Sequence, residues 1–122
     1  MEIKFRAFIK HLNCIADVLS IDFMSKEVEV YLDDRDEIRI YPFDEVEILQ
    51  FTGLTDKNGK EIYEGDILKD EKSSNIEGKV FFNEEKGWFE VDIGDCCPLY
   101  ESMKEYSFVV IGNIYELLEG TK

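Results

Sequence analysis

Thr52-Gly53-Leu54-Thr55-Asp56-Lys57-Asn58-Gly59-Lys60-Glu61-Ile62-Tyr63-Glu64-Gly65-Asp66-Ile67-Leu68 carries two turn signals around one short apolar run. Asn58 and Gly59 tolerate the positive φ that a tight hairpin turn demands. Glu64-Gly65-Asp66 then turns the chain again and launches Ile67-Leu68. Gly53, Gly59, Gly65 and, far downstream, Gly112 read as backbone requirements, where a side chain would clash or positive φ is needed. Asp66 is expected to accept backbone amides inside its turn, which makes Asp66→Asn a mild change.

Outward from this stretch the chain reads as strands. Val28-Glu29-Val30-Tyr31-Leu32 alternates cleanly, with Val28, Val30 and Leu32 facing inward. Ile38-Arg39-Ile40-Tyr41 repeats the theme, and the acidic run from Asp33 to Asp36 predicts a hairpin turn between the two. Ile3, Phe5 and Ala7 share one face of an opening strand. Ile15 to Phe23 favours strand, because Val18, Ile21 and Phe23 suit a pleated surface. Beyond Asp66, Ile67-Leu68-Lys69, the hairpin Gly78–Phe82 with Trp88–Val91, and Tyr106–Ile111 continue the pattern, with Trp88 expected in the core. A polar loop runs from Asp70 to Glu77, with its tip at Lys72-Ser73-Ser74-Asn75, and a helical turn at Glu116-Leu117-Leu118-Glu119 closes the chain. The expected class is mainly β: a β-rich N-terminal extension over residues 1–50 and a small SH3-like barrel over 51–118. Short strands broken by turns suit such a barrel, as does a Gly-Asp pair opening a strand.

The chain of 122 residues is long enough to bury a core without disulfides, and 44% of it is apolar. Cys14, Cys96 and Cys97 are odd in number and partly adjacent, a poor disulfide framework. The charged opening Met1-Glu2-Ile3-Lys4-Phe5-Arg6 is unlike a signal peptide, and no apolar run reaches membrane-spanning length, so a cytoplasmic protein without membrane contact is expected. The net charge is −14, shared as −6 over residues 1–50 and −8 over 51–122. With no basic stripe, direct nucleic-acid binding is disfavoured. A soluble, self-repelling surface is the plain reading, and a surface imitating nucleic acid is the sharper one.

The motif Thr52-Gly53-Leu54, Asp56 to Ile62 and Tyr63-Glu64-Gly65-Asp66-Ile67 closely resembles the YopX family of phage and prophage proteins. Ile3-Lys4-Phe5-Arg6-Ala7 is similar to the family's opening strand, with Phe8 where a Trp is usual. Val110-Ile111-Gly112-Asn113-Ile114-Tyr115-Glu116 is similar to its closing motif. The resemblance spans essentially the whole chain and implies a C-terminal SH3-type barrel in the cytoplasm of a bacterial host. It implies no activity, so no catalytic residue is carried over.

The residues themselves point to no catalytic, metal or cofactor site. His11 and Cys14 have ligand-like spacing, but Cys96 and Cys97, adjacent on an extended chain, point to opposite faces. The cluster Asp33–Glu37 lacks the glycine and terminal glutamate spacing of a calcium loop and reads as a solvated hairpin turn, and Asp92–Asp95 reads the same way. His11, the only histidine, has no Gly-Ser or Gly-Cys elbow beside it, and no glycine-rich loop opens a helix. Four residues make the candidate binding surface: Tyr63, Glu64, Asp66 and Tyr115. The two tyrosines enter because each sits beside a charge at a turn or strand end. The expected function is a non-catalytic binding module that acts as a homo-oligomer and engages an unidentified host or phage protein. The alternatives are an acidic DNA mimic and an enzyme built on acids and tyrosines.

Overall fold

A computed structural model describes residues 2–73 and 75–116. The fold is mainly β, and every strand pairing is antiparallel. Ser74, at the expected loop tip, lies outside the described residues, as does the closing helical turn apart from Glu116. The chain divides into two compact units, Glu2–Gln50 and Phe51 onward.

In the first unit, β1 (Phe5–Ile9), β2 (Cys14–Asp22), β3 (Glu27–Leu32) and β4 (Glu37–Pro42) follow one another as hairpins. A single 3-10 turn, Phe43–Glu45, leads into β5 (Val46–Thr55), whose first half returns beside β1. The spatial order is therefore β4-β3-β2-β1-β5. Asn13, Lys26 and Asp36 take φ of 51°, 58° and 50° at the hairpin turns, which lets each reverse within a few residues. Val28, Val30 and Leu32 face a core shared with Ala7, Ile9, Ala16 and Val46, as the alternation predicts.

The same alternation misleads on β4. Ile38 and Ile40 are each 59% exposed. Arg39 lies opposite Val30 and Tyr41 opposite Val28, so these two take the core-side positions and turn the isoleucines to the other face. Ile3 is also exposed, because the first strand starts only at Phe5.

In the second unit, Phe51 and Thr55 of β5 pair with Tyr63 and Glu61 of β6 (Glu61–Tyr63). The remaining strands are β7 (Asp66–Asp70), β8 (Glu77–Asn83), β9 (Trp88–Asp92), β10 (Cys96–Pro98) and β11 (Phe108–Asn113), in the order β10-β9-β8-β7-β11. No pairing among the described strands closes this sheet into a barrel. Helix α1 (Leu99–Glu105) separates β10 from β11 in sequence and was not foreseen. It follows Pro98, buries Leu99, and its Ser102 Oγ donates to the Pro98 carbonyl at 3.0 Å. Leu99, Ile62, Leu68, Val80, Val91 and Phe108 form the core. Trp88 does not join it: at the end of the β8–β9 ladder, opposite Asn83, it stays 45% exposed.

Candidate functional site

The residues expected to form a binding surface do come together, but largely inside the protein. Tyr63 is only 2% exposed, with its ring tilted against Phe51 at 5.4 Å and its hydroxyl 3.2 Å from Glu61 Oε1. The expectation of an exposed Tyr63 is therefore corrected: as the last residue of β6, it turns its ring onto the ladder partner Phe51. Asp66 is buried too. Its Oδ2 accepts the Tyr63 backbone N–H at 2.8 Å, the turn-closing bond anticipated from sequence. Its Oδ1 accepts from Asn113 Nδ2 at 3.0 Å, a bond that was not.

Asn113, 2% exposed at the end of β11, is the hub that sequence reading missed. Its amide nitrogen also donates to the Glu64 carbonyl at 3.2 Å, and its Oδ1 accepts the Tyr115 N–H at 3.1 Å. Asn113 thus touches Glu64, Asp66 and Tyr115, three of the four candidates. The Gly65 carbonyl accepts the Ile114 N–H at 2.8 Å, and the Gly65 N–H donates to the Val80 carbonyl at 2.8 Å. Gly65 has φ of +83°, which strains any side chain, and a Cβ there would lie 3.1 Å from Asn113 Nδ2, so Asn113 would have to give by a few tenths of an ångström. Both oxygens of Asp66 face donors. An asparagine would turn its own NH₂ toward one of them, so Asp66→Asn is not the mild change that a lone turn aspartate suggests.

Two further buried aspartates work in the same way. Asp56 Oδ1 accepts the amides of Asn58 and Lys60, each at 2.8 Å, while Oδ2 accepts the Val110 N–H at 2.9 Å. Asp70 Oδ1 accepts the amides of Lys72 at 3.3 Å and Ser107 at 3.0 Å. Each of the three aspartates holds its own turn and reaches the segment 107–113. The distant partners (Ser107, Val110, Asn113) are 37 to 54 residues away in sequence, which is why no local pattern announces them.

Gly53, Gly59 and Gly65 have positive φ, as expected. Gly112 has neither positive φ nor crowding; it marks the register shift where Val110 and Gly112 flank a bulge in the β11–β7 ladder. The glycine that truly needs its missing side chain is Gly78, where a Cβ would overlap the Asp92 carbonyl, whose carbon is 2.6 Å away.

On the other side of the β8–β9 hairpin, Glu90 is buried and accepts from Trp88 Nε1 at 2.8 Å and Asn83 Nδ2 at 3.1 Å. The Trp88 bond first, then the Asn83 bond and the nearby Lys86 ammonium, hold this carboxyl below its ordinary value against the opposing effect of burial. Desolvation, and then Asp92 and Glu90, push the Cys96 thiol up and away from a nucleophilic thiolate. His11 meets the edge of Tyr41 at 5.4 Å and lies 4.0 Å from Glu45. Among the described residues, no three His, Cys, Asp or Glu side chains converge as metal ligands would. An open groove of about 360 Å³ is lined by Thr55, Lys57, Met103, Tyr106, Ser107 and Phe108. Lys57 at its rim is tied to Glu71 at 2.7 Å, and Lys104 lies over the Tyr100 ring at 4.2 Å. No described helix is long and apolar enough to cross a membrane.

A family model described as "YopX protein" matches residues 4–119. Among solved structures, the chain is similar to the crystal structure of protein EF1440 from Enterococcus faecalis. The TM-score is 0.67 at 27% identity, and the match covers 100% of this chain and 99% of that one. No curated protein matches the chain. The Asp66–Asn113 clasp joins the central motif to the closing motif, the blocks on which the sequence resemblance rested, and with the family model matching nearly end to end, the chain belongs to the YopX family.

Proposed function

We propose that this protein is a non-catalytic binding and regulatory module of phage or prophage origin. In this reading it works in the cytoplasm as a homo-oligomer, with the C-terminal strands as an SH3-like scaffold, and modulates a host or phage protein. The observation that carries the reading is the β4 edge. β4 ends the sheet order of its unit among the described residues and exposes Ile38 and Ile40, so it offers both apolar side chains and an edge ladder to another chain. The use of the buried acids supports the non-catalytic part. Asp56, Asp66 and Glu90 spend both carboxylate oxygens, and Asp70 one, on amide or indole donors. The DNA-mimic alternative rests on the charge of −14 alone. Light scattering across a concentration series tests the reading. A self-associating species is expected, and a monomer that persists at the highest concentration overturns it.

A further inference from the structure

We infer that two copies of this chain join through β4, antiparallel about a two-fold axis at Ile38, with Glu37 of each copy facing Arg39 of the other. The inference rests on the homo-oligomer reading and specifies its interface. The hydrogen-bond phase of β4 follows from its neighbour. Phe43 N–H donates to the Lys26 carbonyl at 2.9 Å, and the β3–β4 register pairs Val28 with Tyr41, Val30 with Arg39 and Leu32 with Glu37. Bonded and non-bonded pairs alternate along an antiparallel ladder, so Tyr41, Arg39 and Glu37 bond toward β3. The amides and carbonyls of Ile38 and Ile40 then point out of the sheet, with no strand beyond them among the described residues.

Only three self-pairings let these outward groups bond to one another. Centred on Arg39, the pairing sets two guanidinium groups directly opposite in a close non-bonded pair, which like charges disfavour. Centred on Ile40, it sets Ile38 against Pro42, which has no N–H to give. Centred on Ile38, it lets the two Ile38 residues exchange both backbone bonds and places Glu37 against Arg39 twice. In the single chain Arg39 Nη2 already bonds Glu37 Oε2 at 2.6 Å on this face, and both side chains are roughly half exposed. Pairing converts two such bonds into a ring of four alternating charges. On the other face, Ile38 loses its exposure against its own copy. The contact is isologous and closes on itself at Ile38.

Charge reversal tests this directly. Glu37→Arg and Arg39→Glu lie on an exposed edge, and circular dichroism is expected to show both folded. In sedimentation velocity, each variant alone is expected to self-associate about tenfold more weakly than the parent, because each pairing would then hold like charges. An equimolar mixture of the two variants restores complementarity and is expected to recover the parent's association as a heterodimer. A parent that is monomeric throughout overturns both the interface and the oligomer reading. A parent that forms an odd-numbered assembly, or whose association ignores both reversals, overturns the interface and leaves the oligomer reading standing. Weakened variants that fail to complement each other overturn the Ile38 register.

Discussion

The two units of this chain solve the same problem, holding short antiparallel strands together, with different chemistry. In Glu2–Gln50 the work falls to apolar alternation: Val28, Val30 and Leu32 on β3 share a core with Ala16 on β2 and with Ala7 and Ile9 on β1. Its polar side-chain bonds, such as Arg6 to Asp17 and Arg39 to Glu37, lie on the surface. From Phe51 onward an apolar core is present as well, but three buried aspartates and Asn113 tie separate turns to the one segment 107–113. An apolar face tolerates any residue of fitting size and shape, whereas a carboxylate with donors on both oxygens tolerates almost none. The family motif holds Asp56 and Asp66, whose oxygens all meet donors, and Gly59 and Gly65, whose positive φ strains any side chain.

The contrast can be broken most forcefully at Gly78. Gly78→Ala pushes a methyl into the Asp92 carbonyl in a paired strand and is expected to cost about 3 kcal/mol, read from denaturant unfolding. A cost near zero would mean that the β8–β9 ladder shifts freely. Next comes the clasp: Asp66→Asn is expected to cost about 2 kcal/mol, since one buried donor must face another. A double-mutant cycle of Asp66→Ala with Asn113→Ala should show strong coupling, and additive losses would dissolve the idea of a single clasp. In the first unit, Val30→Thr keeps the shape but buries a hydroxyl among apolar side chains, for an expected loss of about 1.5 kcal/mol. A Val30→Thr variant that unfolds like the parent would remove the apolar face as what holds the first unit together.

Smaller effects sharpen it. The Glu90 carboxyl is held below its ordinary value of 4.5, so its stabilising share is fully present above that value and is lost as pH falls through the lower folded value. Trp88→Phe removes the main donor, so the Glu90 titration is expected to move up and the acid-dependent part of stability to shrink. Melting curves near neutrality and at about pH 3 read this difference, and an unchanged difference would remove Trp88 as its cause. Smallest of all, Ile40→Thr, exposed on β4 in the single chain, is expected to alter the unfolding free energy of the dissociated monomer by no more than about 0.5 kcal/mol, read from denaturant unfolding at high dilution.

The strands themselves were legible because alternation, turn residues and glycine act locally. Val28 to Leu32, the Asn58-Gly59 turn and the β8–β9 hairpin all declare themselves within a few residues. The turn role of Asp66 was legible for the same reason, since the Tyr63 amide lies three residues away. Helix α1 was less so: its apolar pair Leu99 and Met103 occupies barely one turn, too short for periodicity to separate it from the surrounding strands.

By itself the amino-acid sequence determined the β class, the turn positions and the family, since each rests on neighbours along the chain. The tertiary structure alone decided which way β4 faces, because Ile38 and Arg39 alternate equally well in either phase. Only the partner residues Val30 and Tyr31 on β3 choose between them. It alone decided that Tyr63 is buried, that Trp88 is exposed and that Gly78 lies against Asp92. It alone brought Asn113 to Asp66 from 47 residues away. Contacts of that kind form when distant strands enter one sheet, and nothing in the local sequence of either partner specifies the other.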